Sequence, residues 1–443
     1  MVRLYATGKA LAKPEHLRLP HIRCAARAGA VGDDAENIPM TPCDPNNGST
    51  ALEHARRRIF SLGLDDSAAR LGAANMVYGM AKIDHVLNSL GYPADTTFIA
   101  TPDMTITRNT ARWSAGFGYG GKLEWGDGDR PLLVLDVKPN ACGMLVGGLD
   151  AMPDPQHVVE RLSDLQSRQS SLMGVDIVWD FHRGNHFIDI CRVDSVAPEF
   201  GLPPYAFVMH GSCPELEQET HLGPGTYWDH SEALRELAHT MPTPWGDLHL
   251  LLDDNVASFM RFWDVVDRFA KERRLIAARH CFGEFTTIAN VTHQGLCGAN
   301  GILLGCQDTQ DPQAPVLPIM VRSDLPGYLF AGLPNLSPEV LEAQGLASRA
   351  EELGVLHRLR RANVMPHGAG YAIPHFRDVL RVIEIAGRRY FEMTTADESA
   401  TEIIHDLHDV QQRYRGRQPV LKALECALGR LVAKLTPIHV VKA

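Results

Sequence analysis

The sequence has no paired cysteines. Its nine cysteines are odd in number and scattered, and nowhere do they form a Cys-x-x-Cys pair. That argues against a disulfide framework and for a reducing compartment, the cytoplasm. No run of 18 apolar residues occurs, so no membrane partner or span is expected. The start, Met1-Val2-Arg3-Leu4-Tyr5, leads into no apolar stretch, so no signal peptide is expected. Positive charge is short: 43 Lys+Arg stand against 53 Asp+Glu, a net −10. A broad nucleic-acid surface normally carries the opposite sign, and DNA is not an expected partner. The basic runs Arg56-Arg57-Arg58, Lys271-Glu272-Arg273-Arg274, Arg358-Leu359-Arg360-Arg361 and Arg413-Tyr414-Arg415-Gly416-Arg417 read as solvated faces. There is no P-loop either. The glycine-rich Trp113–Lys122 lacks its spacing and reads as a turn. No repeat and no long linker divides the 443 residues, so a single large domain is expected.

What is present is enough apolar material for a large core, 45% of the residues. Residues 1–50 read as irregular, with consecutive turns at Met40–Gly48, and 51–90 as helical. Pro131–Val137 has the length and composition of a buried strand. Asp154-Pro155 caps a helix presenting Val158, Val159, Leu162 and Leu165. Strands are expected at Met173–Trp179, from Phe187, at Tyr205–Met209, Gly301–Gly305 and Val316–Arg322. An amphipathic helix capped by Asp253 or Asp254 presents Val256, Phe259, Met260, Trp263, Val266 and Ala270. Helices are expected at about Pro338–Arg361, around Ile403–Val410 and around Leu421–Leu431, with a strand at the end. His221, His230 and His239 fall in a polar excursion and are expected to be exposed.

Chemistry concentrates at the ends of these strands. Cys142, His186, His210 and His293 each sit beside a strand terminus with glycine close by. Thiolate and imidazole bind divalent transition metals, zinc above all. Met365-Pro366-His367-Gly368-Ala369-Gly370 adds an imidazole next to a glycine turn whose N–H groups could face an anion. Such a histidine can bind phosphate, move a proton or attack phosphorus.

These segments, in this order, resemble the RtcB-type RNA ligases. They are Cys142-Gly143, Gly184-Asn185-His186-Phe187-Ile188-Asp189, His210-Gly211-Ser212-Cys213, Thr292-His293-Gln294, His367-Gly368-Ala369-Gly370 and Val441-Lys442-Ala443. The resemblance leaves 1–125 as a divergent portion and 126–443 as the portion that carries the motifs. It implies a mixed α/β fold, a central sheet with flanking helices. It implies two manganese ions, GTP as cofactor, and His367 as the residue that takes GMP. Cys142, His186, His210 and His293 would be metal ligands. Asn185, Asp189, Gly368, Ala369, Gly370 and Lys442 would hold the nucleotide, with Lys442 on the guanine. An RNA 3′-phosphate would then be activated for attack by a 5′-hydroxyl. Several positions differ: Pro139 stands where the family has a metal-binding aspartate, with Asp136 as a substitute three residues back, and Tyr371 replaces an arginine. The open alternatives are a metalloenzyme acting on a small phosphorylated or activated substrate, and a homologue without catalysis.

Overall fold

The fold is that of a computed structural model describing residues 45–442 other than 182, 183 and 386. The irregular segment expected before residue 45 lies outside the described residues. Helices and strands both build the chain, the mixed α/β class expected. The central element is a seven-stranded sheet. Its strands lie in the order Thr286–Thr292, Gly143–Leu149, Tyr205–Gly211, Phe187–Ser195, Gly429–Val441, Gly327–Gly332 and Val316–Ile319. Every neighbouring pair is antiparallel. The strands Gly143–Leu149 and Tyr205–Gly211 are buried on both faces, and their side chains alternate between two cores. Leu145, Phe207, Met209 and Ile190 pack toward Ala277, Ala278 and Cys281 of the helix Asp253–Phe282. Met144, Val146, Ala206 and Val208 face the opposite core with Leu317, Leu329 and Leu435.

A second sheet has the order Ile59–Ser61, Thr97–Thr105, Tyr119–Glu124, Gly301–Leu304, Gln294–Leu296. The helix Ser67–Ser89 covers it, with Met76, Met80, Ile83 and Leu87 against Phe98, Leu123 and Ile302. Asp66 caps that helix by accepting from the Ala69 N–H.

Several expected elements are corrected. The helical stretch 51–90 is two helices, Pro45–Arg57 and Ser67–Ser89, parted by the strand Ile59–Ser61, so the turns read at 45–48 are helix. Trp113–Lys122 is not a turn. A short helix, Thr110–Ala115, leads into the strand Tyr119–Glu124, whose glycines let it pack tightly on its neighbours. Within Met173–Trp179 only Val175–Asp176 is strand. Pro338–Arg361 is three short helices, because glycines at 345 and 354 take left-handed angles and end each piece. The Ile403 segment is a strand, Thr401–Ile404, and a 3-10 turn, since it pairs with Arg388–Thr395. The last helix is only Gln418–Glu425, and it buries Val420 and Ala423 while Leu421 and Leu424 stay exposed. Val159 also faces solvent. The long helix is capped at Leu252, with Asp253 and Asp254 in its first turn. His221, His230 and His239 are exposed, as expected.

The basic runs are not purely solvated faces. Arg58, Arg273, Arg274, Arg358 and Arg415 are all buried. Arg358 pairs with Asp95, Arg415 with Asp66, and Arg273 with Asp180 and Glu215. Their partners lie 58 or more residues away in sequence, so no local pattern marks them.

Candidate active site

Antiparallel pairing puts the start of one strand beside the end of the next. Cys142 precedes one strand, His210 lies near the end of its neighbour, His293 follows a third and His186 precedes a fourth. The register sets Thr292 opposite Gly143, Met144 opposite His210, and Phe187 opposite His210. All four side chains therefore reach the same end of the sheet. The His293 N–H also donates to the Cys142 carbonyl at 2.9 Å.

Cys142 Sγ lies 3.0 Å from His210 Nε2, and His210 Nε2 lies 3.3 Å from His293 Nε2. The ligating atoms of Cys142, His210 and His293 all fall within 4.8 Å of one another. His186 Nε2 flanks this group, 3.9 Å from Cys142 Sγ. The tautomers favour ligation. His210 Nδ1 donates to the Asn185 carbonyl at 3.0 Å, which leaves the Nε2 lone pair facing the cluster. Burial opposes ionisation of Cys142, but its electrostatic interaction with His210 and its hydrogen bonds with His186, His210 and His293 outweigh it and hold the thiol well below its usual range. Burial and the neighbouring His367 push His293 down to about 3, so it stays neutral. A thiolate with the Nε2 atoms of two histidines around one point is a donor set for a divalent metal, and these three residues fit one ion.

A second ion finds a poorer set. Pro139 offers no donor. Asp136 accepts from the Trp228 ring N–H at 3.1 Å and from the His249 N–H at 2.7 Å, so its carboxylate is already engaged. His186 is held from behind, its Nδ1 2.9 Å from Asp180 Oδ2. Burial lowers the His186 pKa, yet Asp180 and the Cys142 thiolate raise it overall, to about 10.

Buried arginines fix this arrangement. Arg273 donates to Asp180 Oδ1 and Glu215 Oε1, both at 2.7 Å. Arg274 donates to the carbonyls of Ala141 and Gly211, both at 3.3 Å, tying together the residues beside Cys142 and His210. Gly143 is required there, since a Cβ would sit 2.2 Å from the Val291 carbonyl. Lys138 and Ala141 hold left-handed angles (φ 49° and 53°), at a cost of about 1–2 kcal/mol each. The loop tolerates them because Arg112 binds the Val137 and Lys138 carbonyls, at 2.8 and 2.6 Å.

His367 approaches from the other side, its ring 4.4 Å from that of His293 and edge-on to Tyr119. Its Nδ1 lies 2.8 Å from Asp103 Oδ2. Burial lowers the His367 pKa, but Asp103 and Cys142 raise it overall. The glycine turn differs from the open anion nest expected. The N–H groups of His367 and Gly368 donate to Asp103 Oδ2 at 3.2 and 3.1 Å. Gly370 is left-handed (φ 64°), and a Cβ there would meet the Asp103 carbonyl at 2.3 Å.

A cavity of about 300 Å³ opens at this point. Asn185, Asp189, His210, His367, Gly368, Ala369, Gly370 and Lys442 all line it. Lys442 reaches it because the strand Gly429–Val441 is interior to the sheet, with Val441 opposite Ile188. Asp189 is 5% exposed and its Oδ1 has no hydrogen-bond partner. Burial raises its pKa to about 7, against the opposing pull of Lys442.

Sequence reading missed Asp103, Asp180, Arg112, Arg273 and Arg274. No sequence signal marked them: the buried strand Thr97–Thr105 that carries Asp103 was itself not read as one. No family model matches the chain, and no curated protein matches it. Among the described residues no helix is long and apolar enough to cross a membrane.

Proposed function

We propose that the chain is an RtcB-like, metal- and GTP-dependent ligase in which His367 carries GMP and passes it to a phosphorylated acceptor, by the resemblance an RNA 3′-phosphate. The observation that supports this best is the position of His367. It sits against Asp103 at one edge of its ring and against the cluster of Cys142, His210 and His293 at another, in the same cavity as Asp189 and Lys442.

Cys142, His210 and His293 would hold the metal, manganese by the resemblance or zinc by its donor set, which would supply positive charge against a polyphosphate. The protein's own groups do the rest. A neutral His367 attacks the α-phosphorus with a ring-nitrogen lone pair. A P–N bond forms, the bridging P–O bond breaks, and pyrophosphate leaves with that electron pair. Asp103 orients the ring and steadies the positive charge it gains. Guanine suits the far end of the cavity: Lys442 can donate to its O6, and the unpartnered Asp189 carboxylate can accept from N1–H and N2–H.

A second reading keeps this first step but ends on a small phosphorylated acceptor. Tyr371 in place of an arginine and the net −10 charge favour it over a long RNA track. Incubation with manganese and α-labelled GTP tests both readings. Acid-labile label on the protein is expected, with ATP much weaker. Joining of RNA carrying 3′-phosphate and 5′-hydroxyl ends separates the two. A metal-loaded protein that takes label from neither nucleotide contradicts the proposal.

A further inference from the structure

Beside the cluster lies a cavity of about 340 Å³ that touches Cys142 and His186; it shares Tyr119, Asn185 and Tyr371 with the first cavity but is not lined by Lys442. It adjoins another of about 310 Å³, since Arg108, Tyr371 and His408 line both. In a chain of net charge −10, no aspartate or glutamate lines either one among the described residues. Instead they present Arg108, Arg112, Arg413, His186 and His408, with the amides of Asn109, Asn140 and Gln294.

Two of these cations have no carboxylate partner among the described residues. Arg112 is 3% exposed, and its hydrogen bonds go only to neutral groups: the carbonyls of Val137 and Lys138 and the Thr107 hydroxyl. A guanidinium has five N–H donors, so two remain beyond those three bonds. A buried cation without an anion is costly, and an anionic ligand relieves that cost. Arg108 is exposed at the junction of the two cavities and has no carboxylate partner among the described residues. Aromatic side chains line the groove as well. Tyr371 and Tyr414 stack with ring centroids 5.0 Å apart.

We infer that this groove is a binding site for the oxyanion of a second, small substrate. Its anionic group meets Arg108 and Arg112 beside Cys142, and its body runs along Tyr371 and Tyr414. Fixed guanidinium charge stands next to Pro139, the position that supplies no metal ligand. This rests on the two-substrate reading above and names the acceptor as a phosphate monoester or a carboxylate of modest size. Both present the planar or tetrahedral oxyanion that arginine recognises by paired hydrogen bonds.

The test is equilibrium binding of inorganic phosphate, and separately of acetate, to the metal-loaded full chain without nucleotide. Arg108→Glu and Lys442→Ala serve as variants. Arg108 is a surface residue, so its variant is expected to fold, and unchanged metal content checks this. Phosphate should bind the wild type, at least about tenfold more weakly to Arg108→Glu, and equally well to Lys442→Ala. Acetate binding tighter than phosphate, with the same dependence on Arg108, assigns the groove to a carboxylate. Binding of neither anion overturns the inference, as does binding that ignores Arg108 or follows Lys442 instead. Because no nucleotide is present, this result stands apart from whether His367 accepts GMP.

Discussion

At the residue scale, the proposed function assigns the choice of base to Asp189 and Lys442. A site built to pair with guanine leaves its buried acceptor unmet by adenine, which costs about 1–3 kcal/mol or more. GTP should therefore bind at least about tenfold better than ATP, and Asp189→Asn should erase that preference in a competition assay. The pH dependence follows from the raised Asp189 pKa of about 7. The carboxylate accepts from guanine only when ionised, so GTP affinity should rise between pH 6 and 8 in titration calorimetry. Stability runs the opposite way. The folded pKa lies above the unfolded value of about 3.9, so the folded state holds a proton that the unfolded state has lost. Stability contributed by this residue falls as pH rises through that window and levels off above about 7. Asp189→Asn should flatten that slope in urea melts.

His367→Ala should abolish covalent nucleotide while leaving metal content nearly unchanged, because its ring is beside the cluster rather than in it. Asp103→Asn should keep the metal too, and lower the rate of labelling by about a hundredfold or more. The sequence made Cys142, His186, His210, His293 and His367 visible because each carries an unusual group beside glycine at a strand end. Asp103 and Asp180 were hidden because nothing local distinguishes an acid that meets its histidine only after folding.

At the scale of elements, the sheet register does what spacing cannot. Cys142 and His293 are 151 positions apart in the numbering, yet adjacent strands deliver them to one edge. The buried apolar run Tyr205–Met209 was legible as a strand, but Gly143–Leu149, interrupted by three glycines, was not read as one. The Ile403 and Leu421 segments were misread, because apolar residues at helical spacing say nothing about which strand or face the tertiary structure offers. The paired arginines of the long helix were taken for solvent and instead lie under the site. Arg273→Met would leave Glu215 buried without its cation and Asp180 with His186 alone. It should destabilise the fold by about 3–5 kcal/mol in denaturant melts, while a change at exposed Arg268, on the same helix, should have little effect.

For the whole molecule, a metal that binds only the folded state links stability to ion concentration. A metal concentration 100-fold above the dissociation constant should add about 2.7 kcal/mol. A chelator should remove it, and Cys142→Ser should abolish the dependence. Net negative charge with a locally acid-free groove fits selection of a small anion over capture of long polyanions. The central claim is that the metal cluster and His367 form one nucleotide-transfer centre. The most direct measurement is intact-protein and peptide mass spectrometry after exposure to manganese and GTP. The account predicts a single acid-labile GMP adduct, mapped to the peptide containing His367 and absent from Cys142→Ser. An adduct on any other residue, or none on a protein shown to hold its metal, would contradict it.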